Sequence, residues 1–270
     1  MDNRPIGVFD SGIGGLTVLR EIAKFLPYEK IIYLGDTARV PWGTRGKEII
    51  IKFSLQLANF LAEKKVKFIV VACHTASSVA LPVLKRKIKI PILDVIRSTV
   101  DETLLKTKNL QIGIIGTPAT IKSGTWARKL KEKEPEVSVF SASCPLFVPL
   151  AEEGLFNHKV TEIIAREYLK PLVKKKIDTL ILACTHYPLL SGTIKKIVGQ
   201  KVKLVNPGVA TAKSLVGELG KRNLFSKDKQ KGGIEIFLTD TEYKAIEVFN
   251  KLFDHKFKGK IIKADLGKYD

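Results

Sequence analysis

Residues 68–78 read FIVVACHTASS, and the interpretation of that stretch decides the fold. Phe68, Ile69, Val70, Val71 and Ala72 form a short, uninterrupted apolar run, the pattern of a strand buried on both faces of a parallel sheet. The run stops at Cys73, and His74, Thr75, Ser77 and Ser78 follow at once. In open α/β sheets ligands bind outside the carboxyl ends of the strands, so a thiol and hydroxyls at that point mark a site. Residues 179–188, TLILACTHYP, repeat the grammar: Leu180 to Ala183 are apolar, and Cys184, Thr185 and His186 follow. The chain has three cysteines, and two of them stand at these matching strand ends.

Working outward, the strand IGVF (Ile6 to Phe9) is matched by QIGII (Gln111 to Ile115), with Ile6 against Ile112, Asp10 against Gly116 and Ser11 against Thr117. Ile112 lies 106 residues after Ile6, and Cys184 lies 111 residues after Cys73. Two independent pairs at nearly one offset indicate an internal duplication, with copies at about 1–97 and 98–207. In each copy strands alternate with helical patterns, so the expected fold class is α/β: two pseudo-symmetric doubly wound domains with mainly parallel sheets and the active site in the cleft between them. The tail holds an expected strand at Ile234 to Leu238 and an expected helix at Thr241 to Phe253, after a charged linker at 224–233. It has no counterpart in the second copy, and the expected division is 1–97 plus 208–270 against 98–207.

Further strands are expected at Lys30 to Leu34, Pro91 to Val95 and Lys203 to Val205. Helices are expected at 47–64, Ser77 to Arg86, from about Ser123, and at Ala210 to Lys221. Asp10-Ser11-Gly12-Ile13-Gly14-Gly15 makes a glycine-rich turn into the helical pattern Leu16, Val18, Leu19, Ile22. Its glycine spacing fits neither a dinucleotide fingerprint nor a P-loop, and Asp10 would repel phosphate; backbone N–H groups there suit a carboxylate, or the stretch is a plain tight turn with Asp10 or Ser11 as N-cap. Arg39 to Arg45, containing Pro41-Trp42-Gly43, is a loop at the same sheet edge. Cys144, beside Pro145 and large apolar residues, reads as a core thiol. Glu152 and Glu153 follow, one of them a candidate for the cleft or both complements to a helix dipole.

Three cysteines in 270 residues are not a disulfide framework and suit a reducing compartment. No signal pattern opens the chain, and no apolar run approaches the ~20 residues needed to cross a bilayer. A soluble, cytoplasmic protein is expected. The net charge of +19 comes from short lysine clusters scattered along the chain (Lys64, Lys65, Lys67; Lys85 to Lys89; Lys174 to Lys176; Lys227 to Lys231). They read as solvated faces; the interleaved aromatics of a nucleic-acid surface are missing, and a positive field also draws anionic substrates.

Two like thiols facing one ligand suit inversion of a carbon centre. One group removes a proton from one face, the other returns a proton to the opposite face, and the roles swap in reverse, so the two groups should be alike. A thiol, with an ordinary pKa near 8.5, can be tuned to this work by its surroundings. Asp10 and His74 are available beside Cys73, and Glu152 and His186 beside Cys184. Hydroxyls and N–H groups at Ser11, Thr75, Thr117, Thr120 and Thr185 can hold carboxylates.

At these positions the sequence resembles the glutamate racemases: Asp10-Ser11-Gly12-Ile13-Gly14-Gly15, Gly35-Asp36, Pro41-Trp42-Gly43, Cys73-x-Thr75-Ala76-Ser77, Gly116-Thr117-x-x-Thr120 and Cys184-Thr185-His186, in order from about residue 5 to 215. The resemblance implies a cofactor-independent racemase making D-glutamate for peptidoglycan, with Cys73 acting on D-glutamate and Cys184 on L-glutamate. It implies that Asp10 assists Cys73 and that Glu152 and His186 assist Cys184. Asp10, Ser11, Pro41, Trp42, Gly43, His74, Thr75, Thr117, Thr120, Thr185 and His186 would hold the substrate, with no metal, in a homodimer. Two residues depart from the family pattern. His74 stands for the usual Asn and puts a titratable ring beside the thiol; Trp42 stands for Tyr. Three other readings carry less: an aspartate racemase of the same superfamily, against which Ser77 and Cys184-Thr185-His186 argue; a Cys₂His₂ zinc site from Cys73, His74, Cys184 and His186, for which adjacent Cys-His is poor spacing; and a non-enzymatic partner of gyrase or nucleic acid, supported only by charge.

Overall fold

The computed structural model describes residues 1–228, 230–241, 245–253 and 261–269. The first half runs β1 (Ile6–Asp10), α1 (Leu16–Phe25), β2 (Ile31–Gly35), α2 (Lys47–Glu63), β3 (Phe68–Val71), α3 (His74–Val79), α4 (Leu81–Lys87), β4 (Ile92–Asp94) and α5 (Val95–Lys106). The second runs β5 (Gln111–Gly116), α6 (Pro118–Lys122), α7 (Thr125–Lys133), β6 (Ser138–Ser143), α8 (Phe147–Glu152), α9 (Lys159–Val173), β7 (Thr179–Ala183), α10 (Ser191–Val198) and β8 (Lys203–Val205). Then come α11 (Pro207–Lys221), β9 (Ile234–Leu238), α12 (Ala245–Phe253) and β10 (Ile261–Lys263).

Two sheets result, ordered β10-β9-β2-β1-β3-β4 and β6-β5-β7-β8. All pairings among them are parallel. The inner order β2-β1-β3-β4 is repeated as β6-β5-β7-β8, and the register repeats with it. Ile6 stands opposite Phe68 as Ile112 stands opposite Thr179; Ile69 stands opposite Ile92 as Leu180 stands opposite Leu204. The duplication read from offsets is therefore a duplication of strand pairing. The first sheet differs by its extension, because β9 and β10 add beyond β2.

Side chains alternate across each strand. Ile6, Val8, Phe68 and Val70 enter one core with Leu19 and Ile22 of α1, Val100 of α5 and Leu215 of α11, and this core continues to Ile112, Ile114 and Ile181 of the second sheet. Phe9, Ile69, Val71 and Cys73 face the opposite side, under Leu57 and Leu61 of α2. Leu180, Leu182 and Cys184 likewise face away from the shared core, under Leu169 of α9 and Ile194 of α10. Both thiols thus sit in the same phase of equivalent strands.

Several local expectations need correction. The helix expected at Ser77 to Arg86 starts earlier, at His74, with Cys73 as its N-cap, and breaks at Ala80 before α4. Pro82 explains the break: it has no N–H to continue a helix but fits the first turn of a new one. The helix expected from about Ser123 is α7, which starts two residues later at Thr125 behind Gly124, whose φ of +63° suits glycine; the short α6 before it was not expected. Of the helix expected at Thr241 to Phe253, residues 242–244 lie outside the described residues. Lys67 is no solvated lysine. Its side chain is 0 % exposed, and its Nζ lies 2.6 Å from Glu29 Oε2 and 2.6 Å from the Asp2 carbonyl. Glu29 Oε1 also accepts the Ser226 N–H at 2.7 Å, so this buried pair ties the amino ends of β2 and β3 to the chain after α11. Among the described residues no helix is long and apolar enough to cross a membrane.

Candidate active site

The first half contributes the ends of β1 and β3. Asp10 closes β1 and is fully buried. Its Oδ2 accepts the N–H groups of Gly12 (3.1 Å) and Gly15 (3.0 Å), which is the use of the glycine-rich turn. A Cβ on Gly15 would stand 2.4 Å from Asp10 Cβ, so the turn can close over the carboxylate only with glycine there. Burial pushes the Asp10 pKa upward, against the pull of His186 and these hydrogen bonds. Cys73 caps α3: its Sγ accepts the Ala76 N–H at 3.5 Å and donates to Ser11 Oγ at 3.4 Å. Burial, reinforced by the Asp10 charge, pushes its thiol up to about 12.

The second half contributes the ends of β5, β7 and α8. His186 bridges Cys184 and Glu152, with Nδ1 3.8 Å from Cys184 Sγ and Nε2 3.1 Å from Glu152 Oε1. Burial opposes a charge on this ring, but the Cys184 and Glu152 contacts outweigh it and lift the pKa to about 10. These two contacts favour the charged imidazolium, the form in which both ring nitrogens donate. The two thiols therefore have different local chemistry: hydroxyl and carboxylate partners at Cys73, a histidine–glutamate pair at Cys184.

The halves meet at these residues. Thr185 Oγ1 donates to Asp10 Oδ1 at 3.3 Å, and Thr17 Oγ1 reaches the Thr185 carbonyl at 2.9 Å. Thr75 of the first half lies 3.0 Å from Thr117 and 3.3 Å from Thr120 of the second, Oγ1 to Oγ1, and those two are 3.0 Å apart. A Cβ on Gly43 would stand 2.5 Å from Thr117 Cβ, and one on Gly14 2.5 Å from His186 Nδ1. Cys73 is 4 % and Cys184 6 % exposed, so both thiols are shut off from solvent.

Of the residues singled out in the sequence, Asp10, Ser11, Gly43, Cys73, Thr75, Thr117, Thr120, Glu152, Cys184, Thr185 and His186 converge in these contacts. Pro41 is exposed. The Trp42 indole is buried beside Phe53, and its Nε1 donates to Asp36 Oδ2 at 2.9 Å; the part of this loop that meets the second half is Gly43. The His74 ring stacks on Trp126 of α7, centroids 5.7 Å apart, and burial drops its pKa to about 3. Cys144 is a core thiol packed with Phe147 and Tyr187. Among the described residues no group of three His, Cys, Asp or Glu side chains could hold a metal ion. Thr17, Tyr33 and Trp126 escaped sequence reasoning. Tyr33 carried one readable signal, a hydroxyl inside an otherwise apolar strand; the other two carried none.

A duplicated, doubly wound α/β protein with paired thiols at the strand ends defines the class. The model of the Asp/Glu/Hydantoin racemase family matches residues 6–215, and the chain belongs to that family. A glutamate racemase of Aquifex pyrophilus is 51 % identical over 87 % of this chain and 88 % of its own. The glutamate racemase of Francisella tularensis, solved with D-glutamate, superposes with a TM-score of 0.92 at 39 % identity, covering 100 % of both chains. Glutamate racemase isoform RacE1 of Bacillus anthracis superposes at 0.94 with 33 % identity over 98 % of this chain and 99 % of its own.

Proposed function

We propose that the protein interconverts L- and D-glutamate without a cofactor, by two cysteine acid/base groups. In the D-to-L direction the Cys73 thiolate takes the Cα proton, and the electron pair left on Cα is held by the adjoining carboxylate. The Cys184 thiol then delivers its proton to the opposite face. In the L-to-D direction the roles exchange. Each turnover leaves the thiols with swapped protonation states, so proton return through solvent or neighbouring groups completes the cycle. Asp10 serves the Cys73 side and the Glu152–His186 pair the Cys184 side.

The observation that carries this reading is the equivalence of the two thiols, in the same phase at the ends of register-equivalent strands, each with its own polar partners. Because both are buried, substrate reaches them only when the halves separate. Opening breaks Thr75–Thr117, Thr75–Thr120 and Thr185–Asp10, and the hydroxyls so released are donors for the substrate carboxylates. Ser11, Gly43 and His74 complete the proposed binding set. The proposed setting is the cytoplasm, as a homodimer whose D-glutamate goes to peptidoglycan; light scattering tests the dimer. The reaction is tested by following the circular dichroism of D-glutamate and D-aspartate with purified protein free of pyridoxal phosphate. The glutamate signal should decay to zero much faster than the aspartate signal. Faster decay of aspartate, or of neither, refutes the assignment.

A further inference from the structure

Tyr33 stands in the middle of β2, fully buried, in a strand otherwise made of aliphatic residues and glycine. A buried phenol needs a partner for its hydroxyl. Tyr33 Oη donates to the Gly12 carbonyl at 2.6 Å. Gly12 is also the residue whose N–H binds Asp10 Oδ2 at 3.1 Å, so one residue of the turn is pinned from both sides. Two close approaches leave the turn a single seat. A Cβ on Gly15 would stand 2.7 Å from Tyr33 Oη, and one on Gly35 would stand 2.5 Å from the Gly12 carbonyl oxygen. Ser11 lies between Asp10 and Gly12, and its hydroxyl receives the Cys73 thiol at 3.4 Å. The phenol therefore anchors the short segment that presents both groups set against Cys73.

We infer that the Tyr33 hydroxyl is a positioning group for the Cys73 half-reaction, holding the 11–15 turn so that Asp10 and Ser11 face the thiol. The inference rests on the two-thiol reading of the site. Tyr33 touches no substrate in this role. Burial, together with the nearby Asp10 and Cys73 charges, raises its pKa well above the usual phenol value, so it remains a neutral donor throughout the working range. Removing the hydroxyl orphans the buried Gly12 carbonyl, and the turn relaxes to find another partner. A shift of about 1 Å in groups around a reacting centre lowers turnover by roughly 10²-fold.

The test is Tyr33→Phe, with kcat and KM measured for both enantiomers across pH. The expected result is a fall in kcat of about 10- to 100-fold with KM within about twofold. The acid limb of the profile should also move to higher pH, because a loosened Gly12 N–H no longer holds down the pKa of Asp10. His186, Cys73 and Tyr33 itself are the titratable groups facing that carboxyl. Leu219→Ala, in the core on α11, is the stability control: it should lower Tm and leave kcat and the pH profile alone. A Tyr33→Phe enzyme with wild-type kcat and profile, or with loss only in KM, overturns the inference. Should that variant not fold, 3,5-difluorotyrosine at position 33 keeps the ring and donor but ionises at lower pH. The alkaline limb of activity must then lie at lower pH than in the wild type, and an unmoved limb overturns the inference. Cys73→Ser and Cys184→Ser are run beside these. Retained racemisation in both refutes the two-thiol reading itself, whereas loss in both with an unaltered Tyr33→Phe refutes only the positioning role.

Discussion

Gly14→Ala places one methyl group at the joint between the halves. The added Cβ would stand 2.5 Å from His186 Nδ1, 2.6 Å from His186 Cε1 and 2.6 Å from Thr185 Oγ1. Comfortable contact begins near 3.5 Å, so the ring and the hydroxyl must each retreat by about 1 Å. His186 cannot retreat freely, since it is held 3.8 Å from Cys184 Sγ and 3.1 Å from Glu152 Oε1. Overpacking of this kind costs about 1–3 kcal/mol, and a displacement of 1 Å at a catalytic group costs roughly 10²-fold in rate. Gly14→Ala should therefore lower Tm by a few degrees and kcat/KM for glutamate by about 100-fold, read by polarimetry or circular dichroism at a temperature where the variant is folded. L- and D-glutamate are mirror images with an equilibrium constant of one, so kcat/KM must fall equally in both directions. Gly217→Ala is the control. It lies on an exposed helical turn of α11 with nothing within 4 Å of its Cβ, and it should stabilise the protein by about 0.5–1 kcal/mol without altering activity. Wild-type kcat/KM in folded Gly14→Ala would refute the packing of the 12–15 turn on the Cys184 side.

Other predictions follow from the same contacts. His74→Asn should leave the pH profile between about pH 5 and 8 unmoved, because the His74 ring is already neutral well above its pKa of about 3; a shifted limb would show that His74 titrates during catalysis. The folded-state pKa of His186 is raised to about 10, so its contribution to stability is complete below the ordinary histidine value and is lost as pH rises through about 10. The Tm advantage of wild type over Glu152→Gln should accordingly be large near pH 6 and shrink toward pH 10; an advantage that grows with pH would refute the cationic His186–Glu152 pair. Lys67→Met should destabilise the fold by about 3–5 kcal/mol by leaving Glu29 buried without its cation, and Lys67→Met with Glu29→Leu should recover most of that in urea unfolding.

What was legible in the sequence depended on how strongly burial constrained each element. FIVVAC and TLILAC lie inside their sheets, where both faces demand apolar side chains, so strand, thiol and duplication could all be read from spacing. β6 was missed because it is an edge strand, largely half-buried, whose SVFSAS carries no apolar pattern. α9 and β10 were not anticipated either. The lysine-rich surface masked Lys67, since nothing local distinguishes a lysine paired with Glu29 38 residues away from one in water. At the site, the residues brought together are those whose types already implied chemistry. What could not be read was direction: the Trp42 indole turns to Asp36, and the His74 ring turns to Trp126 across the halves. Tyr33 and Thr17 act through backbone carbonyls, whose positions only the folded chain defines.

The central claim, proton transfer by two thiols on opposite faces of one carbon, is tested most directly in D₂O with Cys73→Ser and Cys184→Ser. Wild-type protein should place solvent deuterium at Cα of the product from either enantiomer while racemising it. Each single variant should lose interconversion by at least about 10²- to 10⁴-fold, the usual worth of a positioned acid/base group. Racemisation with Cα deuteration at the wild-type rate in either variant would contradict it.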